Sequence, residues 1–274
     1  MIPAAFDYVR AGSAEEAISL IGQHGDEAKF LAGGHSLLPL MKLRLASPSV
    51  LVDIGRVQDL SYIREEGDEL AIGALTRHHD VENSAVLKRH QGLLAKAAGY
   101  VGDPQVRHRG TIGGSVAHSD PASDLPAVLV ALNAQFVAQG PGGRRTIGAR
   151  SFFTGFLESA LNPDEMLVEI RVPKMTDAQF SFQKFNRRAQ DWAIVGVAAW
   201  RHGGNAGIGL VNMDQTPVYA AAASTIASAE GTAAAAAAEA CAEASPSSDL
   251  NASVEYRQHL AKVLVRRALE ECGL

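Results

Sequence analysis

The sequence is poor in cysteine: among its 274 residues only Cys241 and Cys272 are cysteines, and they lie far apart along the chain. A disulfide framework needs a set of spaced cysteine pairs, and an iron–sulfur cluster needs four cysteine ligands. This chain alone can therefore build neither. The scarcity of cysteine agrees with a reducing compartment, and we expect the protein to be cytoplasmic.

Long apolar runs and a surplus of positive charge are also missing. No uninterrupted apolar segment reaches the ~18 residues of a membrane span, and the first residues lack the basic region of a signal peptide. The formal net charge is -5, and the mixed charges form no basic stripe that would neutralise nucleic-acid phosphates. We predict a soluble protein with no membrane span and no nucleic-acid partner.

Metal-binding and catalytic motifs are not recognisable either. The histidines show no H-E-x-x-H or other ligand spacing, so His78, His79, His108, His118 and His202 are interpreted as surface or hydrogen-bonded residues. No spacing indicates a Ser-His-Asp or Cys-His arrangement. We therefore predict no metal site and nominate no catalytic side chain.

What the sequence does contain is hydrophobic residues, at 47%, arranged in short segments that alternate between strand and helix patterns. Ser13 and Glu16 have the spacing of a capping box at the start of the first helix. The glycine-rich turn at 140–143 predicts a hairpin. Up to residue 176 the predicted strands are 28–32, 50–53, 69–75, 135–138 and 144–147, and the predicted helices are 14–21, 37–45, 81–100 and 124–132.

The pattern changes after Pro173. Three strands are predicted at 180–185, 193–201 and 207–213, followed by an alanine-rich helix within 220–244 and a helical stripe from Tyr256 to Ala268. These elements predict a three-stranded antiparallel sheet covered by two helices. We place a domain boundary near residue 176.

Two glycine turns share one composition. "AGGHS" (32–36) follows a predicted strand, and "GTIGGS" (110–115) lies further along. Glycine lets a ligand approach main-chain N–H groups, and the neighbouring hydroxyls can donate to anionic oxygens, which suits a pyrophosphate. Neither turn fits the P-loop or the Rossmann fingerprint. From the residues alone, phosphate binding and a purely structural turn both stay open.

The order of these motifs resembles a known family. The segments "FLAGGHSL" (30–37), "VDI" (52–54), "RGTIGGS" (109–115) and "DPASDLP" (120–126) are similar to the FAD-binding medium subunits of molybdenum hydroxylases, in the xanthine dehydrogenase family. The resemblance continues through "GLVN" (209–212) and "EYR" (255–257) and covers nearly the whole chain.

The resemblance implies an α+β fold of three parts. Two FAD-binding subdomains of the PCMH/vanillyl-alcohol-oxidase type are expected at 1–56 and 57–176, and a C-terminal flavoprotein domain at 177–274.

The resemblance also implies the cofactor-binding residues. The first turn contributes Ala32, Gly33, Gly34, His35, Ser36 and Leu37, and the second contributes Gly110, Thr111, Ile112, Gly113, Gly114 and Ser115. Both turns are expected to hold the pyrophosphate of FAD. Further residues near the sugar, the ribityl chain and the isoalloxazine ring are Lys29, Ser123, Asp124, Leu167, Lys184, Asp191 and Trp192.

Several of these residues have a structural alternative. Asp124 has the residue type of a helix N-cap, and Lys29 and Lys184 have that of solvated surface lysines. Trp192 could instead be core packing. Ser115 replaces an asparagine that is frequent in the family, which puts that hydrogen bond in doubt.

The implied function is electron transfer within a larger enzyme. A large partner subunit with a molybdenum cofactor would oxidise carbon monoxide, an N-heterocycle or an aldehyde. A small partner with two [2Fe–2S] clusters would deliver the electrons to FAD, which passes them to an external acceptor. We expect a dimer of such heterotrimers. The alternatives are a self-sufficient FAD oxidase or dehydrogenase and a nucleotide-binding module that is not an enzyme.

Overall fold

Three principal β-sheets organise the chain in a computed structural model that describes residues 2–229 and 231–274. Helices pack on these sheets, so the predicted α+β fold is confirmed. The predicted boundaries at residues 56 and 176 stay predictions; both fall in connections between two sheets. Across the described residues, no helix is both long enough and apolar enough to cross a membrane.

The first sheet is small and parallel, with strand order β1-β3-β2. Ser13 caps its first helix by accepting a hydrogen bond from the Glu16 amide, as the capping spacing predicts. Strand β1 was not predicted from the sequence, and helix α2 ends three residues before its predicted end. The elements are β1 (Asp7–Arg10), α1 (Ala14–His24), β2 (Ala28–Leu31), α2 (Leu37–Lys42) and β3 (Val50–Asp53).

The second sheet is antiparallel and has the order β4-β5-β10-β6-β7. The hairpin predicted at the glycine-rich turn is present, with Gly140 paired to Gly143. A separate two-stranded ribbon, β8 and β9, lies in the same part of the chain. The strands are β4 (Ile63–Glu66), β5 (Glu69–Gly73), β6 (Gln135–Gly140), β7 (Gly143–Gly148), β8 (Phe153–Gly155), β9 (Glu158–Ser159) and β10 (Met166–Pro173).

The helix predicted at 81–100 is instead a series of short helices. Ser84 ends one and caps the next by accepting from the Leu87 amide, and Gln91 leaves the helical conformation and donates its side-chain amide to the Pro173 carbonyl. The helices of this part are α3 (His78–Asn83), α4 (Ala85–His90), α5 (Gly92–Ala98), α6 (Pro104–Arg109), α7 (Ile112–His118), α8 (Asp124–Ala131) and α9 (Ala149–Phe152).

The third sheet has four antiparallel strands, so the prediction of three strands was incomplete. The additional strand has two residues, too few for an alternating pattern. The predicted alanine-rich helix is two helices, because the chain turns at Gly231 and Thr232 caps the second one. The elements are β11 (Gln179–Phe185), β12 (Val195–His202), β13 (Asn205–Val211), β14 (Val218–Tyr219), α10 (Ala221–Ser228), α11 (Ala233–Ala238) and α12 (Val254–Glu271).

Helix α8 joins the second and third sheets. All of its residues are buried, and it packs between the core of the second sheet and strands β12 and β13. The approach is close because β13 presents glycines: a Cβ on Gly209 would lie 2.2 Å from the Ala127 carbonyl oxygen, and one on Gly207 would lie 2.7 Å from that of Ala131. Trp200 fixes the same contact by donating from Nε1 to the Ala131 oxygen over 2.9 Å.

Replacing Gly209 with alanine should destabilise the fold, because the new methyl group would overlap the backbone of α8. Overpacking of this kind costs ~1–3 kcal/mol. Chemical denaturation should show that loss in the free energy of unfolding. Gly142→Ala is the matched control, since a Cβ there would meet no atom within 4 Å. Equal stability of the two variants would contradict the close packing of α8 on β13.

Candidate functional site

A cleft of about 670 Å³ opens between the three sheets. This volume lies within the ~300–1,000 Å³ that is usual for small-molecule pockets. The cleft is lined by both glycine turns, by the start of α8, by β11 and by the connection before β12. Every residue predicted to bind the cofactor lines it except Ile112.

The first glycine turn offers unused hydrogen-bond donors. It leaves β2 after Leu31 and enters α2 at Leu37. Within the described part of the chain, none of the backbone N–H groups from Gly33 to Ser36 donates to a protein acceptor. His35 Nδ1 lies 3.0 Å from the Gly33 carbonyl oxygen and so fixes the shape of the turn. Four consecutive free donors at a cleft suit an anionic ligand.

The second glycine turn was predicted as an irregular turn but is the start of a helix: Thr111 is the N-cap of α7, and Ile112 to Ser115 form its first turn. Its amides are largely used by the protein. The N–H groups of Ile112 and Gly113 donate to the carbonyls of Thr76 and Ala74, and that of Gly114 donates to the hydroxyl of Thr111. Ile112 itself is fully buried in the core. This turn anchors the wall of the cleft and exposes few donors to it, and its role in holding the pyrophosphate stays a prediction.

The two turns are packed directly on each other. A Cβ on Gly33 would lie 2.3 Å from the carbonyl oxygen of Arg109, and one on Gly113 would lie 2.5 Å from the Ala74 side chain. These glycines are needed for contact between protein segments. Gly34 has a φ of +75°, a conformation that glycine adopts at little cost.

His78 packs against the second glycine turn. Its ring is buried, and Nε2 lies 3.2 Å from Ser115 Oγ. Burial and the nearby positive charges of Arg107 and Arg77 lower the pKa of His78 to about 4, so the ring is neutral at physiological pH. The sequence predicted a surface or hydrogen-bonded histidine, and its spacing gave no sign that His78 would lie at this cleft.

Asp124 and Lys184 form a buried ion pair in the cleft wall. Their side chains are only 5% and 4% exposed, and Lys184 Nζ lies 2.7 Å from Asp124 Oδ2. Lys184 also donates to the Tyr100 carbonyl over 3.0 Å. The alternative of a surface lysine is thus wrong for Lys184, whereas Lys29 is exposed at the rim.

One oxygen of Asp124 has no protein partner. Oδ1 is fully buried and makes no hydrogen bond within the described residues. Burial raises the pKa of Asp124 to about 6, although the Lys184 charge opposes the shift. Ser123, not Asp124, is the N-cap residue of α8, so the capping alternative for Asp124 is not observed. A buried, unpaired carboxylate oxygen is costly, and a hydroxyl donor from a ligand would satisfy it.

Trp192 stands at the open end of the cleft and is 58% exposed, so the alternative of core packing is wrong. Its backbone segment is nevertheless held in place. Arg188 binds the neighbouring Asp191 over 2.9 Å, and Asn212 donates to the Ala193 carbonyl over 2.8 Å. Arg257 on α12 donates to the next carbonyl, that of Ile194. An exposed indole on a fixed segment can pack against a planar ligand.

Several polar residues of the cleft were not predicted from the sequence as binding residues. Leu167, which was predicted, is buried in β10, and the segment that leads into this strand also reaches the cleft. The missed polar residues are His78, His118, Asn162, Glu165 and Gln190. Within residues 2–229 and 231–274, no group of three or more His, Cys, Asp or Glu side chains is arranged to hold a metal ion.

Comparisons with known proteins agree with this geometry. The family profile of the FAD binding domain in molybdopterin dehydrogenase matches residues 4–175, and that of the CO dehydrogenase flavoprotein C-terminal domain matches residues 180–272. The carbon monoxide dehydrogenase medium chain of Hydrogenophaga pseudoflava is 42% identical over 98% of this chain and 97% of that protein. The nicotine 6-hydroxylase medium subunit of Paenarthrobacter nicotinovorans is 35% identical over 98% of both chains.

Solved structures give the same result. A chain of carbon monoxide dehydrogenase from H. pseudoflava superposes with a TM-score of 0.96 at 42% identity and covers 100% of this chain and 99% of its own length. A chain of quinoline 2-oxidoreductase from Pseudomonas putida 86 superposes with a TM-score of 0.91 at 31% identity over 99% and 98%. These matches show that the chain belongs to the family of FAD-binding medium subunits of molybdenum-containing dehydrogenases.

Proposed function

We propose that this chain is the electron-transfer subunit of a heterotrimeric molybdenum hydroxylase. In this proposal a small partner holds two [2Fe–2S] clusters, a large partner holds the molybdenum cofactor, and two heterotrimers form a dimer. Bound FAD supplies the redox chemistry, taking electrons from the clusters and passing them to an external acceptor. The cysteine content supports this division, because two cysteines cannot ligate an iron–sulfur cluster.

The substrate belongs to the large partner in this proposal. Relatives of this chain are named for carbon monoxide, nicotine and glyceraldehyde. This range supports oxidation of carbon monoxide, an N-heterocycle or an aldehyde by the complex.

One observation supports FAD in this cleft above the others: the same cavity joins four free amides at one wall to an unpaired carboxylate oxygen at another. The amides from Gly33 to Ser36 would bind the diphosphate. Asp124 Oδ1 would accept a hydrogen bond from a hydroxyl of the sugar or the ribityl chain. Trp192 would cover the ring system and exclude water from it.

The neighbouring residues have supporting roles. Ser115, positioned by His78, would donate its hydroxyl to a phosphate oxygen. Lys184 would keep Asp124 ionised and correctly oriented. Lys29 at the rim would add positive charge near the phosphates.

The direct test is the visible absorption spectrum of the chain, purified alone and together with its partner subunits, before and after addition of FAD. Flavin bands near ~450 nm that stay with the protein after removal of excess FAD would support the proposal. A chain that oxidises a small substrate without partners would instead be a self-sufficient flavoenzyme. A preparation with its partners that retains no flavin would overturn the proposal.

The affinity for FAD should depend on pH through Asp124. Its pKa is raised to about 6 in the free protein, and a hydroxyl donor on Oδ1 stabilises the carboxylate, so protonation competes with binding. The dissociation constant should rise by about tenfold for each pH unit below 6. FAD titrations between pH 7 and pH 5 measure this. In Asp124→Asn the dependence should vanish, and in the control Asp59→Asn, at an exposed position, it should persist.

Asp124→Asn should also bind FAD more weakly at pH 7. Losing a hydrogen bond to a charged group costs ~1.5–3 kcal/mol, which corresponds to a ~10- to 150-fold higher dissociation constant. The double variant Asp124→Asn with Lys184→Met removes the buried unpaired lysine and controls for misfolding. An unchanged affinity in both variants would leave the ion pair a structural role only.

Trp192 should report FAD binding by its own fluorescence. The chain has two tryptophans, so Trp200→Phe leaves Trp192 as the single emitter. FAD should quench this emission strongly, because the exposed indole becomes covered by the ligand. Trp192→Phe is the matched control and should show a weaker effect, since Trp200 is held against α8. Equal quenching in the two variants would contradict contact between Trp192 and the ligand.

A further inference from the structure

A second cavity, of about 280 Å³, lies beside the first glycine turn. Leu31, Ala32, Gly33 and Gly34 line both this cavity and the large cleft. The remaining wall is formed by Tyr8, Arg10, Leu38, Asp53, Gly55, Arg56, Arg77 and Arg109. None of the residues of this remaining wall lines the large cleft.

The cavity lies at the carboxyl edge of the parallel sheet. Arg10, Leu31 and Asp53 are the last residues of β1, β2 and β3, and the strand register places Asp53 directly opposite both of the others. Ligands of open parallel sheets bind in the crevice outside this edge. The position is therefore one at which a binding site is expected on general grounds.

The charge of the cavity is strongly positive. Among the residues that the structure describes, four arginines line it, Arg10, Arg56, Arg77 and Arg109, together with one carboxylate, that of Asp53. The ion pairs formed within residues 2–229 and 231–274 include none of these four guanidinium groups.

The carboxylate of Asp53 already has hydrogen-bond partners within the protein. Asp53 accepts a hydrogen bond from the Tyr8 hydroxyl at Oδ2 and from the Gly55 amide at Oδ1, over 2.8 Å in the second case. Arg10 reaches this network only through Tyr8, whose hydroxyl lies 3.2 Å from Arg10 Nε. The protein thus leaves most of the positive charge around the cavity uncompensated.

Arg77 is held in position by the backbone on two sides. It donates to the carbonyl of Arg109, where the second glycine turn begins, and to that of Gly55, just after β3. Burial and the like charge of Arg109 lower the pKa of Arg77. An anion bound among several arginines would offset such like-charge repulsion.

We propose that this cavity binds a phosphate group, either inorganic phosphate or the phosphate of a small monoester. The planar guanidinium matches the spacing of phosphate oxygens and binds them with two parallel hydrogen bonds. The volume lies at the lower end of ligand pockets, which fits one phosphate group and a short substituent and is too small for a dinucleotide. The site shares the first glycine turn with the proposed flavin cleft, but its arginines do not line that cleft.

The test is the melting temperature of the full chain with FAD in excess, measured against inorganic phosphate and against chloride at matched ionic strength. FAD keeps phosphate out of the large cleft. A ligand that binds the folded state raises the melting temperature as its concentration rises, so phosphate should stabilise the chain more than chloride does. Glycerol 3-phosphate distinguishes the two sources, since tighter binding than inorganic phosphate would identify a monoester.

The double variant Arg10→Gln with Arg56→Gln tests the location, because both side chains are exposed and their replacement should leave the fold intact. Phosphate binding should weaken by at least ~10-fold, the scale of one lost charge-assisted hydrogen bond. Arg266→Gln, on the exposed face of α12, is the matched control and should behave as the wild-type chain does.

Three results would overturn the proposal. The first is equal stabilisation by phosphate and chloride. The second is an unchanged phosphate dependence in the double variant, which would place the anion elsewhere. The third is loss of phosphate binding when the wild-type chain is joined to its partner subunits, which would assign the arginines to a partner's carboxylates.

Discussion

The close contact between the backbone of α8 and strand β13 determines where the functional groups of this protein lie. Because Gly207 and Gly209 have no side chains, the helix sits directly on the third sheet. The first residue of the helix is Asp124, and the contact brings it within 2.7 Å of Lys184 on β11. One wall of the cleft is therefore made by two sheets that meet at this helix, and its geometry depends on their packing.

A buried ion pair is weak support for stability, because the desolvation of two charges can exceed their attraction. Here the balance is more unfavourable still, since Asp124 Oδ1 has no partner among the described residues and the pKa of the carboxyl is raised to about 6. An apolar pair at these positions would fill the space at lower cost. A ligand that supplies the missing donor would offset this cost. The Asp124–Lys184 pair is therefore better explained by ligand binding than by stabilisation of the fold.

Much of the local structure could be predicted from the sequence. The cap at Ser13, the hairpin at Gly140 and the first glycine turn depend on neighbouring residues, and these predictions agree with the structure. The second glycine segment begins helix α7, which was not predicted. The sequence could not show which backbone N–H groups are already hydrogen-bonded within the protein. Ile112 donates to Thr76, a residue far away in the sequence, so its amide is used by the fold. The break at Gln91 in the helix predicted at 81–100 has the same cause, because Gln91 donates to a carbonyl on β10, whereas the break at Ser84 coincides with a local cap.

The two glycine turns consequently have different physical roles despite their similar composition. The second is fixed to the carbonyls of Ala74 and Thr76, just after β5. Within the described residues the first has free amides, and it packs against its neighbour at Gly33. Because Leu31, Ala32, Gly33 and Gly34 line both cavities, a displacement of this turn would change the walls of both. Such coupling is reciprocal: if a phosphate near Arg77 strengthens the binding of FAD, then FAD strengthens the binding of that phosphate by the same factor. If both proposed sites are occupied, the first glycine turn is the segment through which they would influence each other.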